Sequence, residues 1–592
     1  MVKIDPPAMV LLAWSKMVPI SEAQDPLGLS LRVSARLSDE LLYCITSVTP
    51  RARYFSFLPW CVADFTKREK SVRADAVFIE SVRLREKALT LGCILHHNGE
   101  SCKDGSLVGT DKAKEWLATH RDKTPKLSSL FLVKDPALKV YKNSLVQLGF
   151  FVETPDVHPV ADQTEGEAVG VTEIIDLKLS ELGKRVASSY EQAVGHLPVV
   201  KKLAKEPDGC KPGELKKWGE SGGLCELVDS SAPDRGMLRE VFFDRVGSPG
   251  ECHKFRHDSL TLFLELIEKI SPHGIRFDHF ALRDAVYFNT VPLDNDRKKI
   301  LSLKFSKPLE DIANRWRMFY FHFFLSVALE SLFAGVVGYA QKAGMAGTRL
   351  ETIVDSLKSK SVMKFMGDLM GKKIEGNFLE MTPREFLESD GFGTCGDDTG
   401  IEFDRHFNFS NPLSESNLDA RLRLVELAYA SPEGIACALM LIVMTVSRYI
   451  KWDKAAYGNW LAGATHDPYR DITVPVVLRE LRESLGDFLD SKLRELAVLV
   501  IGRFVVKQHE VLSYEKVWDG TRALFHSEQG MIRGRGMTYD TISVENSRFN
   551  SAVQILADLA LLEHDDNDWL LTRLTAEGAK FLKGELGRMK EK

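Results

Sequence analysis

Little in this sequence carries chemistry by itself. No phosphate-binding glycine–lysine loop is present, which argues against an intrinsic P-loop ATPase. A serine elbow and a paired-cysteine redox motif are not evident either. Cysteine is sparse: nine residues scattered over 592. An odd, sparse count, mostly without tight pairing, argues for reduced thiols in a cytosolic compartment. Charge of one sign is also missing. The net charge is −5, so the whole chain is no basic nucleic-acid binder, and any DNA contact has to come from a local patch. The N-terminal run Met1-Val2-Lys3-Ile4-Asp5-Pro6-Pro7 lacks the basic-then-apolar layout of a signal peptide.

Long uncharged apolar runs are rare too. Met318 to Tyr339 contains His322 and Glu330 and is preceded by Arg315 and Arg317. Gly434 to Ile450 barely reaches spanning length and carries Arg448. A bilayer span needs roughly 20 nearly uncharged residues, so both are expected to be buried core helices, with no membrane partner.

What the sequence does have is a short pattern used twice. The first copy is Leu145-Val146-Gln147-Leu148-Gly149-Phe150-Phe151-Val152-Glu153, followed after a polar stretch by Leu177-Lys178-Leu179-Ser180-Glu181-Leu182-Gly183. The second is Val553 to Glu563, followed by Leu570-Leu571-Thr572-Arg573-Leu574-Thr575-Ala576-Glu577-Gly578. Each reads as an apolar-striped helix, a short strand, a polar wing, a return strand and a capped closing helix, the end of a winged helix. In the second copy Thr575 is placed to accept the amide of Gly578, and Glu577 adds negative charge to the first turn.

Between the copies the periodicity is helical. Leu260, Phe263, Leu264, Ile267 and Ile270 form one stripe. Residues 312–342 are apolar on more than one face and should be central. Pro475 opens a striped helix from Leu478 to Val500. The expected fold is mainly α: a multi-domain helical protein with winged-helix-like modules near both ends. The expected domains are 1–195, a linker or basic segment 196–250, a helical 251–505, and a winged-helix-like 506–592. Pro59 is expected to kink or break the run from Tyr54 to Phe65.

A winged helix reads DNA only where it presents donors. The C-terminal wing tip is acidic, with Asp565, Asp566 and Asp568. The candidate DNA-binding residues lie elsewhere: Arg533 and Arg535, in a loop whose Gly534 and Gly536 would allow close approach, and Arg548 at the following helix start. Arg51 and Arg53, beside Tyr54 and Trp60, form a second cation–aromatic candidate, with helix packing as its competing explanation. The winged segments leave two uses open, DNA contact and subunit docking.

Catalytic and metal candidates are weak. Cys93, His96, His97 and Cys102 form one loose set; Cys210, Cys225, Cys252, His253 and His257 form another. Neither has the spacing of a standard zinc site, so no metal or other cofactor is assigned. His257-Asp258 is similar to a metal-phosphohydrolase dyad without companion histidines. Asp397-Asp398 sits in a glycine-rich stretch.

The run Ile45-Thr46-Ser47-Val48-Thr49-Pro50-Arg51-Ala52-Arg53-Tyr54-Phe55-Ser56-Phe57-Leu58-Pro59-Trp60 resembles a motif of a family of bacterial proteins encoded in antiviral defence islands. Arg83-Leu84-Arg85-Glu86, Tyr141 to Phe150, Arg315-Trp316-Arg317 to Phe333, and the segment from His509 onward are similar as well. The resemblance implies context rather than catalytic residues: an accessory or sensor subunit that engages DNA or a partner protein such as an ATPase, helicase or nuclease. The alternatives are a metal-dependent nuclease effector and a pure protein scaffold.

Overall fold

The computed structural model describes residues 25–591, apart from segments at 69–74, 101–106, 153–177, 245–249, 389–412, 424–429, 464–470, 516–522 and 540–547 and a few shorter stretches. The fold is mainly α, and every sheet among the described residues has two strands. The elements that matter here are, in chain order, α1 (Tyr54–Arg68), α2 (Asp75–His96), α3 (Ala137–Gln147), β1 (Phe151–Val152), β2 (Lys178–Leu179), α4 (Glu181–Val194), α5 (Pro212–Gly222), α6 (Pro233–Phe242), α7 (Glu251–Ile270), α8 (Glu310–Ala343), α9 (Lys360–Met370), α10 (Pro432–Trp452), β3 (Phe525–Glu528), β4 (Met531–Gly534), α11 (Phe549–Asp558), β5 (Leu562–His564), β6 (Thr572–Leu574) and α12 (Ala576–Glu591).

The chain forms two compact units, and each is discontinuous in sequence. One, the terminal unit, is Ser34–Tyr320 with Asn546–Lys592; the other, the central unit, is Met1–Val33 with Phe321–Glu545. This corrects the expected succession of domains 1–195, 196–250, 251–505 and 506–592. The last segment belongs with the first because its charged groups find their partners there. Asp558 is bonded by Arg51, Glu577 pairs with Arg239, and Glu585 meets His257.

Within the terminal unit the repeated pattern becomes a repeated structure, α3–β1–β2–α4 and α11–β5–β6–α12. The match extends to single hydrogen bonds. Each first helix ends on a residue with positive φ, Gly149 at 74° and Ala560 at 57°. The next amide, of Phe150 or Leu561, reaches back five residues to the carbonyl of Leu145 or Leu556, at 3.0 Å in both. This is the 6→1 closure that satisfies an orphan helical carbonyl. Each closing helix is capped by a hydroxyl: Ser180 accepts from the Gly183 amide at 3.0 Å, and Thr575 from the Gly578 amide at 2.8 Å. The same hydroxyls donate to the carbonyls of Gly149 and Ala560. A Cβ on Gly183 would sit 2.1 Å from the Phe150 carbonyl oxygen, and one on Gly578 2.0 Å from that of Leu561. Both glycines are therefore needed for the closing helix to lie against the turn. A long helix lies over each copy: α1 packs on α4, and α7 on α12.

Pro59 does not break α1, which runs unbroken from Tyr54 to Arg68. Phe55, Phe57, Leu58 and Trp60 are all buried around it. Trp60 meets Tyr190 at 5.3 Å and Trp218 at 5.8 Å between ring centres. Elsewhere α2 and α5 cross backbone to backbone. A Cβ on Gly92 would lie 2.5 Å from the Leu215 carbonyl oxygen, and one on Gly219 2.1 Å from that of Gly92.

In the central unit α10 is buried through most of its length, as is the part of α8 from Phe321 onward. Two helical spans, Lys307–Ala346 and Pro432–Trp452, are long and apolar enough to cross a membrane, yet 89% of each apolar window is buried in the protein itself. Some of their polar groups find partners inside the protein. Arg448 forms a two-bond pair with Glu415, at 2.6 and 3.0 Å. His322 Nε2 donates to the Leu29 carbonyl at 2.9 Å, and burial pushes this imidazole down to about 4, so it is neutral.

Candidate nucleic-acid interface

The cation–aromatic motif at Arg51 and Arg53 is interior, which corrects its reading as a DNA surface. Arg53 is fully buried. Its guanidinium makes two bonds to Asp234, both at 3.1 Å, and donates to the carbonyls of Gly223 at 2.6 Å and Ser221 at 3.0 Å. Ser56 Oγ donates a further 2.6 Å bond to Asp234, and the guanidinium lies 5.4 Å from the Tyr190 ring centre. Arg51 Nε donates to Asp558 at 3.0 Å, and the Ala52 amide to the same oxygen at 2.9 Å. Burying two guanidiniums is costly unless each is paired and hydrogen-bonded. Both are, so the motif ties α1 to α6 and to α11.

Arg548 is also withdrawn from a DNA role. Its side chain is 14% exposed, pairs with Asp39 and donates to the Ile45 carbonyl at 3.0 Å. Arg533 and Arg535 remain outside. The expected loop is in fact a hairpin, β3–β4, turned by Gln529 and Gly530 at φ of 52° and 75°. Arg533 is 39% exposed and stands 3.5 Å from Glu528, itself 58% exposed. Such a pair is screened and weak, so Arg533 can exchange it for a phosphate. Arg535 is exposed, and its amide closes the hairpin on Leu524 at 3.0 Å. Gly534 does allow a close approach, but to this chain: its added Cβ would lie 3.2 Å from the backbone at Ala340 and Gln341. Thr348 and Ile532 bond backbone to backbone at 2.9 and 2.7 Å, so β4 is also pinned at Ile532.

The structure adds a cationic feature that sequence reasoning passed over. An open groove of about 630 Å³ along α9 is lined by Lys360, Lys364 and Lys373, with Asp368 as the one acid in the lining. The signal was present in the i, i+4 spacing of Lys360 and Lys364, which stacks two ammonium groups on one helix face. In the acidic β5–β6 turn of the second copy, Arg276 bonds Asp568 at 2.6 Å. The segment between β1 and β2 of the first copy, expected as a wing, and Asp566 lie outside the described residues.

The enzymatic candidates fare no better as catalysts. His257 Nδ1 lies 2.7 Å from Asp258 and Nε2 2.9 Å from Glu585. Both ring nitrogens are occupied by carboxylates, which leaves none for a metal. Burial alone would lower this imidazole, but the bonds to Asp258 and Glu585 outweigh it and raise it above the ordinary histidine value. Gly219-Glu220-Ser221-Gly222-Gly223 has serine-elbow spacing, which sequence reasoning missed. It ends α5 rather than joining a strand to a helix, so it is no nucleophile elbow. Asp397 and Asp398 lie outside the described residues. Of the two loose cysteine–histidine sets, the structure joins members across sets: His96 and His97 meet Cys225 and Glu226.

Comparison with known proteins adds no relative: no protein-family model, curated protein or solved structure matches the chain.

Proposed function

We propose that this chain is a docking protein without catalysis of its own, an accessory or sensor subunit of a bacterial antiviral defence system. It engages DNA or a DNA-acting partner protein. The observation that carries the reading is the doubled helix–hairpin–helix element, matched bond for bond in its two caps. We read it as a pair of winged-helix ends. Nature uses this element to present one helix and one hairpin to a groove or a partner. The resemblance of the Ile45–Trp60 run to defence-island proteins supplies the setting.

The geometry divides the labour. In the terminal unit the arginines of the motif are consumed by buried carboxylates and the described wing carries acids, so this unit suits a protein partner. In the central unit Arg533, Arg535 and the lysine groove of α9 offer positive charge to phosphate. Contacts of that kind are independent of base sequence and act by displacing counterions.

The test is fluorescence anisotropy of the full chain with labelled duplex DNA over a salt series. Arg533→Ala with Arg535→Ala should weaken binding to every sequence and flatten the slope of log K against log salt by about 2, roughly 0.9 for each phosphate no longer neutralised. Equal binding by the wild type and the double variant at low salt would remove the hairpin from the interface. The competing nuclease reading predicts cleavage of plasmid DNA in Mg²⁺ or Mn²⁺, abolished by Asp397→Asn with Asp398→Asn.

A further inference from the structure

The end of α2 and the short helical turn Leu224–Val228 bring four donors together. They are His96, His97, Cys225 and Glu226, and one ligand atom of each lies within 4.8 Å of all the others. His96 Nε2 stands 2.9 Å from Glu226 Oε1, and His97 Nε2 3.2 Å from Cys225 Sγ. We propose that these four side chains bind a zinc ion.

The chemistry selects the metal. Two imidazoles, one thiolate and one carboxylate form a nitrogen–sulfur–oxygen set suited to Zn²⁺ and poorly suited to Ca²⁺ or Mg²⁺, which take oxygen ligands. With neutral histidines the set carries two negative charges, which cancel those of the ion. Cys225 binds as thiolate, and its proton leaves to solvent. Tetrahedral zinc with bonds of about 2.0–2.3 Å separates neighbouring donors by about 3.3–3.6 Å. The two observed separations fall a few tenths of an ångström short of that, so the ion enters by a small outward shift of each pair. All four residues are partly exposed, with His96 at 25% and Glu226 at 26% by side chain, so an ion can reach them from solvent.

The surroundings build the site. The backbone contact of Gly92 with Gly219 fixes where α2 ends relative to α5. Gly99, at φ of 101°, closes α2 just past the histidines, its amide reaching the Ile94 carbonyl at 2.8 Å. On the other side, Arg53 holds the carbonyls of Ser221 and Gly223, immediately before Leu224 and Cys225. The buried Arg53–Asp234 pair thus acts as a brace for the ligand-bearing turn, as outer-sphere groups do at metal centres. Four protein ligands make a closed, structural site rather than a catalytic one.

The experiment uses the full chain. Apoprotein prepared with chelator is titrated with Zn²⁺ and with Co²⁺, and metal content is measured after gel filtration. One tightly held equivalent per chain is expected. Co²⁺ should give tetrahedral d–d absorption and a thiolate charge-transfer band. Cys225→Ser should abolish the charge-transfer band, and His97→Ala should weaken zinc at least 10-fold. Cys252→Ser, which alters another partly exposed cysteine, should change neither. Should the ligand variants fail to fold, the wild type still decides: zinc should slow alkylation of Cys225, read by mass spectrometry, at least 10-fold and leave Cys252 unaffected. Absence of a bound equivalent, or a charge-transfer band that survives Cys225→Ser, overturns the proposal, as does alkylation of Cys225 that is indifferent to zinc.

Discussion

Replacing Arg53 with methionine tests whether the arginine motif is structural. The substitution keeps an unbranched stem beside Tyr190 but removes four hydrogen bonds, two of them to Asp234. Asp234 would keep the Ser56 hydroxyl and remain a fully buried carboxylate without a countercharge. Stranding one partner of a buried pair costs about 3–5 kcal/mol. Asp234→Asn strands the Arg53 charge in its turn, but should cost less, since Arg53 keeps its two carbonyl acceptors and the amide oxygen can still accept from it. The double variant Arg53→Met with Asp234→Asn should fall short of the sum of the singles by about 1.5–3 kcal/mol. Urea denaturation followed by tryptophan fluorescence reads this, because Trp60 and Trp218 both contact Tyr190, whose ring lies against the Arg53 guanidinium. A cost below about 1 kcal/mol for Arg53→Met, or simple additivity in the cycle, would refute the reasoning.

Other outcomes follow from the same geometry. His257 has its folded-state value raised between Asp258 and Glu585, so its contribution is complete below about pH 6.5 and disappears as pH rises through the raised value; His257→Gln should flatten that alkaline decline in melting experiments. Gly578→Ala forces a methyl to 2.0 Å from the Leu561 carbonyl oxygen and should destabilise by at least about 2 kcal/mol, whereas Gly584→Ala, with open space around it, should be neutral or slightly stabilising by the same denaturation assay. Ala560 occupies a left-handed conformation where the first copy has Gly149, so Ala560→Gly should stabilise by about 0.5–1 kcal/mol; a loss of stability would show that the turn is held by something other than φ.

The local layer of the fold is legible in the sequence, because local rules decide it. Thr575 and Gly578 announce a cap by spacing alone, and the cap is there. The helix expected over 312–342 spans Glu310–Ala343, since its all-round apolarity is met by burial on every side. The layer that fails is the one set by distant partners. Arg51 and Arg53 beside Tyr54 and Trp60 look the same in sequence whether they face water or carboxylates. The acids that claim them are 507 and 181 residues away. Arg548 misleads for the same reason, through Asp39. Cys225 and Glu226 are invisible in sequence as companions of His96 and His97, because a crossing of two glycines, Gly92 and Gly219, joins them and no ligand spacing does. The hairpin at Arg533 reads as a loop because Gln529-Gly530 is not among the strongest turn dipeptides, although both residues adopt positive φ.

The interleaving of the two units sets an order of events on the ribosome. Ser34–Tyr320 emerges early but cannot finish folding alone, since Arg51, Arg239 and His257 wait for Asp558, Glu577 and Glu585. Synthesis of the intervening Phe321–Glu545 takes on the order of 10–50 s at ordinary elongation rates. Through that interval the nascent chain holds uncompensated cations and the uncovered apolar face of α7. A message cut short before Asn546 therefore yields a polypeptide in which Arg51, Arg239 and His257 lack the carboxylates that they meet in the fold.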